Sequence, residues 1–375
     1  MRNERFFHPS WNKKSASSFA EKDRGEDVEV LVPARFDFIG GWTDTPPYYF
    51  ENPAAVLNAS LRVRPMESGA DFDFPIKIKV SNSEEFEYEV NGVKTERILP
   101  DDGVGQGVFY FLDIYRPKVS IKIENRIPRG SGLGGSSLLV LALLSALRAF
   151  WLGAQEVVSS PRELVNDTLS IEQLIGSGGG WQDQMGGLLP GVKLIKTEPD
   201  NNGYSVSYLS DEAASVLEAC SIIADTRMTR RAVVILSSIR DKYISKEPVA
   251  ISTLASLPQS AQAGFVALEN KNVDVFARLL GDAWSAVSIL ESATSAFLPA
   301  GLSSVANLAG YKLGGAGGGG FLLLIANSPS ARKQVALGVK DLFPESILYE
   351  PSFRSPGLQI LQKGKTYEIP PVSEI

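Results

Sequence analysis

Pro128-Arg129-Gly130-Ser131-Gly132-Leu133-Gly134-Gly135-Ser136-Ser137 is the stretch on which the reading of this sequence turns. Just before it, Val119, Ile121 and Ile123 alternate with Ser120, Lys122 and Glu124, the period of a half-buried strand. Just after it, Ser136 to Trp151 is apolar on nearly every face, broken only by Ser145 and Arg148, as expected of a helix buried in a domain. A glycine run in that setting lets backbone N–H groups turn inward, and the helix end adds about half a positive charge. Gly130, Ser131, Gly132, Leu133, Gly134, Gly135, Ser136 and Ser137 therefore suit a phosphate cradle that needs no lysine. The hydroxyls of Ser136 and Ser137 are placed for phosphate oxygens or a magnesium ion. A glycine-rich turn that only packs the helix closely is the alternative, and the paired serines between strand and helix weigh against it.

The chain has 375 residues, more than one core usually holds. Its length predicts a polar extension over 1–25, an N-terminal domain over 26–215 and a C-terminal domain over 216–375, with a ligand site between the two domains. Strands and helices mix without strict alternation, which favours an α+β fold. The net charge of −6 argues against nucleic acid or anionic lipid as a partner, so any phosphate site is local. Composition excludes further chemistries. With one cysteine, Cys220, there is no intrachain disulfide, and with one histidine, His8, in a polar N-terminal stretch there is no Ser-His-Asp triad or Cys/His zinc site. Residues 1–25 lack a signal-peptide core and the apolar run Leu138–Leu147 is shorter than the ~20 residues of a membrane span, so a cytoplasmic protein with no membrane partner is expected.

Several elements are legible. Val28–Phe38 reads as a strand entering the core and ending at Gly40-Gly41, Lys77–Val80 and Val192–Thr197 as further strands. Ser160–Ile175 reads as a helix with Ser160 as N-cap, Pro161 at the first position, Glu163 completing a capping box and Gly176 as terminator. Later helices fall near Thr229–Tyr243, Ala261–Asn270, Val273–Ser292 and Ser330–Phe343. Gly364-Lys365-Thr366 imitates the end of a Walker A motif, but Gln359 stands where glycine is required and Pro370-Pro371 follow, so it reads as a tail.

Three other segments carry candidate chemistry. Gly314-Gly315-Ala316-Gly317-Gly318-Gly319-Gly320 is too rich in glycine for a bare turn and implies close approach by a backbone or a ligand. Glu172, in the last turn of its helix, opposes the helix dipole and is either solvated or relieved by a cation such as Mg²⁺. Eleven residues on, Gly178-Gly179-Gly180-Trp181-Gln182-Asp183-Gln184 presents Asp183 among glycines, either against a substrate or as a turn or N-cap residue. Pro33–Pro47 gathers Arg35, Asp37, Trp42 and Asp44 around a sharp turn, which suits sugar hydroxyls beside an aromatic wall or, more plainly, an ion pair of Arg35 with Asp37 or Asp44. Arg227, Arg230 and Arg231 open a helix as a second basic group or as surface.

Taken in order, Pro33–Asp44, Pro128–Ser137 and Lys312–Gly320 resemble the three motifs of the GHMP kinases, and the resemblance spans residues 28–326. Within that family, Gly40–Pro47, Val56-Leu57-Asn58 and Gly178–Gln184 look most like L-fucokinases, which commonly occur fused to a nucleotide-sugar pyrophosphorylase. Gly135 departs from the usual Thr or Ser, and Asp225–Arg230 only partly matches a Y-T-G-x-T-R segment. The resemblance implies a ribosomal-protein-like N-terminal half, a ferredoxin-like C-terminal half and an active site between them for ATP and a small sugar. It implies Mg²⁺ at Ser136 and Glu172, phosphates on Gly130–Ser137, Asp183 with Arg35 at the anomeric hydroxyl, and a sugar held by Asp44, Trp42, Gly180 and Asp183. The alternatives are a heptose-phosphate kinase, which needs further basic residues at the sugar, and a sensor of the same fold without turnover.

Overall fold

Pro33 divides the apolar run that opens the chain, because a residue without an N–H cannot continue a ladder. The computed structural model describes residues 24–115, 117–199, 203–228, 232–296 and 298–375. His8, nearly all of the expected 1–25 extension, and Arg230 and Arg231 lie outside the described residues. The single strand expected over Val28–Phe38 is two: β1, Val28–Val32, and β2, Ala34–Ile39. They belong to different sheets.

In the first sheet β1 lies between Gln359–Gln362 and Ile76–Asn82, both antiparallel to it, and Val119–Asn125 follows. The second sheet is organised around β3, Ala54–Pro65, a 12-residue strand that pairs with β2, with Val192–Thr197 and with Ile347–Ser352. Chain order and sheet order do not coincide. Residues 359–368 form a hairpin on the first sheet, with Lys363 and Gly364 at φ of 53° and 70° in its turn. The Walker-like Gly364-Lys365-Thr366 is thus the end of the turn and the start of the second arm of that hairpin rather than a tail, and Pro370-Pro371 come after it.

Helix α1, Gly135–Leu152, packs on β1 and on Ile76–Asn82, and 13 of its 18 residues are buried. Its length and composition are enough to cross a membrane, but its apolar faces are covered by the sheet and by four further helices, two of which carry candidate site residues. Those two are α2, Pro161–Leu174, and α3, Gln182–Leu188. The Ser160 side chain makes no cap bond, so the expected capping box is not formed and Pro161 with its preset φ opens α2 alone. Against β2 and β3 lie α4, Pro248–Glu269, and α5, Val273–Leu290. The sequence placed only the second half of α4, because Pro258 interrupts the pattern that the helix passes through.

All six residues of β2 are buried. Strand alternation sends Phe36 and Phe38 to one face, where Phe38 meets Phe276 and Phe353 at 5.7 and 5.2 Å between centroids. Burial of each ring contributes about 1.5–3 kcal/mol. The other face carries Arg35 and Asp37, fully buried charges that need partners.

Candidate active site

The loop between Val119–Asn125 and α1 winds through Gly130, Gly132 and Gly134 at φ of 72°, 75° and 75°, a region closed to most side chains. A Cβ on Gly132 would lie 2.3 Å from the Gly314 carbonyl oxygen, and one on Gly320 would lie 2.2 Å from that of Ser131. The two glycine-rich loops therefore press backbone against backbone, and the Phe321 N–H donates to Ser131 O at 2.9 Å. Together they wall a cavity of about 1000 Å³ into which Arg35, Trp42, Ser136, Glu172, Gly180 and Asp183 also face. A second cavity of about 470 Å³, lined by Tyr88, Val90, Ile127 and Leu139 among others, shares Pro128 and Arg129 with it.

Arg35 rises from β2 beneath the loop. Its Nη2 lies 2.6 Å from Asp183 Oδ1 and its Nε donates to the same oxygen at 2.7 Å, while Nη1 donates to Gly132 O at 2.5 Å. Gly134 makes room for the pair, since a Cβ there would lie 3.0 Å from Arg35 Nε and 3.3 Å from Asp183 Cγ. Burial disfavours the guanidinium charge, but Asp183, Asp37 and Asp44 outweigh burial and raise its pKa. Asp183 lies in the first turn of α3, caps no N–H, and has Ser137 Oγ 3.3 Å from its Oδ2. The turn or N-cap alternative is thus not the arrangement seen. Of the plain ion pairs considered for Arg35, one exists, with Asp37 at 3.3 Å.

Glu172 is 1% exposed, which removes the solvated alternative. Ser137 Oγ donates to its Oε1 at 2.5 Å and Gln184 Nε2 donates to its Oε2. The hydroxyl that reaches Glu172 is therefore Ser137's, whereas Ser136, expected beside Glu172, is exposed toward the cavity. One step along α1 turns a side chain by about 100°, which is the whole difference. Hydroxyl and carboxylate oxygens from Ser137, Glu172 and Asp183 converge at the helix N-terminus, a hard-oxygen set with one or two carboxylates that fits Mg²⁺ sharing its remaining positions with phosphate oxygens.

Asp44 is fully buried and does not line the cavity. Its Oδ2 accepts the Gln182 N–H at 3.1 Å, capping α3 from another segment, while Oδ1 has no partner. Gly180 fits against it closely, since a Cβ there would be 2.2 Å from Asp44 Oδ2. Trp42, at φ of 80°, faces the cavity, while Trp181 is buried against Tyr204. Arg227 is half-exposed beside Asp225 at 3.5 Å.

Burial pushes Asp44 up to about 7 and Glu172 up to about 8. Acids whose folded pKa is raised bind their protons more tightly when folded, so the stability they add is full below their unfolded values and is lost as pH rises through the folded ones. The melting temperature of the ligand-free protein should fall between pH 5 and 8, and Asp44→Asn should flatten the slope. A pH series of melting curves checks this, and a variant with the wild-type slope contradicts it.

Sequence reasoning gave no role to Gln184, Lys193 or Lys312. Lys193, fully buried, donates to the carbonyls of Gly186, Leu189 and Gly191 at 3.0–3.1 Å and so closes the end of α3. A lysine inside the apolar strand Val192–Thr197 was the available signal.

Residues 105–191 match the family described as GHMP kinases N terminal domain. The bifunctional fucokinase/GDP-fucose pyrophosphorylase of Arabidopsis thaliana is 30% identical over 82% of this chain, which spans 30% of that protein's length. The D-glycero-alpha-D-manno-heptose 7-phosphate kinase of Campylobacter jejuni is 26% identical over 80% of this chain and 89% of that one. In fold, the crystal structure of a D-glycero-D-manno-heptose 1-phosphate kinase from Bacteroides thetaiotaomicron matches with a TM-score of 0.65 at 20% identity, covering 89% of this chain and 98% of that one. The architecture is the α+β fold of the sugar and mevalonate kinases. Over residues 105–191 the chain carries the N-terminal domain of the GHMP kinases.

Proposed function

We propose that this chain is an ATP-dependent sugar kinase that transfers the γ-phosphoryl group to the anomeric hydroxyl of L-fucose, giving fucose 1-phosphate and ADP. The observation that carries the reading is Asp183, held by Arg35 at 2.6 Å in the cavity wall and 3.3 Å from the Ser137 hydroxyl that also meets Glu172. The glycine-rich loop and the α1 terminus would hold the ATP phosphates through backbone N–H groups. The neighbouring cavity, where Val90, Leu99 and Leu139 stand beside polar groups such as Asn91 and Asp102, suits the base of the nucleotide. Asp183 accepts and orients the sugar hydroxyl's proton, and Arg35 keeps that carboxylate ionised while offsetting charge on the transferring group. Glu172, with Ser137 and Ser136, would hold Mg²⁺, which when bound supplies charge neutralisation on the phosphates. Trp42 gives the sugar an apolar wall, and Asp44, which does not line the cavity, supports the site from behind by accepting the Gln182 N–H at the start of α3.

The choice of fucose is supported by the Arabidopsis relative, which carries fucokinase in its name, and by the tryptophan-bearing segments around Trp42 and Trp181. One contact favours the second reading, a heptose-phosphate kinase: Arg240 Nη1 lies 3.6 Å from where a Cβ of Gly178 would be, close enough to the Gly178–Gly180 loop to meet a second phosphate. An ATP-consumption assay across L-fucose, galactose, arabinose, mannose and a heptose phosphate tests the choice. L-Fucose should give the highest kcat/KM, and clear preference for the heptose phosphate would overturn the assignment.

A further inference from the structure

Asp37 and Lys312 are buried charges to which the proposed reaction gives no part. Asp37 is 1% and Lys312 7% exposed, and neither lines the cavity, so contact with substrate is ruled out for both. Lys312 Nζ donates to Asp37 Oδ2 at 2.6 Å, to Asp37 O at 3.0 Å and to Leu313 O at 2.9 Å, which uses all three of its protons. Its charge also lies 5.6 and 5.7 Å from the rings of Phe36 and Trp284. The other oxygen of Asp37, Oδ1, accepts the Gly315 N–H at 2.7 Å and Arg35 Nη1 at 3.3 Å.

We infer that Asp37 and Lys312 form a positioning pair that fixes the third glycine-rich loop on the phosphate loop and sets the guanidinium of Arg35 against Asp183. Two segments far apart in the chain meet at one carboxylate. Asp37 is on β2, two residues from Arg35 and therefore on the same face; Lys312 and Gly315 come from the strand and loop before Phe321. Arg35 in turn reaches Gly132 O at 2.5 Å, and Gly132 is the residue on which Gly314 presses. A displacement at Asp37 is thus passed to the guanidinium and to both loops at once. A bare structural ion pair would not need its second oxygen aimed at the loop N–H and at the arginine. The inference rests on the phosphoryl-transfer reading of the site.

The test uses the full chain. Lys312→Met leaves the Asp37 carboxylate with only the longer Arg35 contact for a cation and Asp37→Asn leaves a lone buried ammonium, so each single variant should melt lower and lose about 10²-fold in kcat, the effect of a roughly 1 Å misplacement. The double variant Asp37→Asn/Lys312→Met carries no unpaired charge. It should regain most of the melting temperature but stay at least tenfold low in kcat, with the KM for sugar within about threefold of wild type. A double variant that regains both stability and kcat makes the pair structural only and overturns the inference. Lys312→Arg keeps the buried charge and serves where the neutral pair does not fold; its kcat should fall about tenfold, and unchanged kcat overturns the inference equally. Wild-type protein that phosphorylates no sugar in the panel sinks the functional reading instead. ADP binding by calorimetry then decides the inference: Lys312→Arg should weaken it about tenfold, and equal affinity rejects the pair.

Discussion

Replacing Asp183 by asparagine is expected to lower kcat by about 10²–10⁴ while leaving ATP affinity nearly unchanged. The side chain keeps its shape, and Asp37 still pairs with Arg35 at 3.3 Å, so the buried guanidinium keeps a charge partner. What is lost is the acid in the cavity wall that is 21% accessible and held by two bonds from Arg35. In the proposed reading the loop over 130–137 would bind phosphate through backbone groups, which would not depend on that charge. Separate titrations of ATP and sugar give the split between kcat and KM. Near-normal turnover would reduce Asp183 to a residue that merely anchors Arg35, and proton transfer would have to be assigned elsewhere.

Glu172→Gln should raise the Mg²⁺ concentration for half-maximal activity by about 10–100-fold or more, since a ligating carboxylate is worth at least as much as the groups that orient one. The geometry separates this from a folding effect. Glu172 is buried, and burial holds it protonated up to about pH 8 in the absence of a cation, so a neutral amide of the same shape is a close replacement for the metal-free state. Melting without Mg²⁺ at pH 7 should therefore change little, while the shift that Mg²⁺ with ADP produces in wild type should shrink. A variant with unaltered metal dependence would remove Glu172 from the metal site and leave it as a partner of Ser137 and Gln184 alone.

Much of the fold was legible because it rests on local signals. The strand Val192–Thr197 falls as periodicity predicts, and the buried helix after the phosphate loop starts one residue earlier and ends one later than expected. Failures came where tertiary contacts override local pattern. Pro258 lies inside α4, where packing on α5 and β3 carries the helix through a residue that local rules treat as a break. Residues 359–368 look like a tail only because the partner that makes them a strand, β1, is more than 320 positions away in the chain. The site divides in the same way. Arg35, Glu172 and Asp183 stand out by charge in glycine-rich or apolar surroundings. The choice between Ser136 and Ser137, and the anchoring of Asp37 by Lys312, depend on helix rotation and on a contact spanning 275 positions, which no motif spacing records.

The most direct measurement of the central claim is the phosphorus NMR spectrum of an incubation of the protein with ATP, Mg²⁺ and L-fucose. The account predicts ADP and a sugar phosphate in equal amounts, with the new phosphorus signal coupled to the anomeric proton. A phosphate coupled to any other ring position, or ATP converted to ADP and free phosphate with no sugar ester, would contradict it.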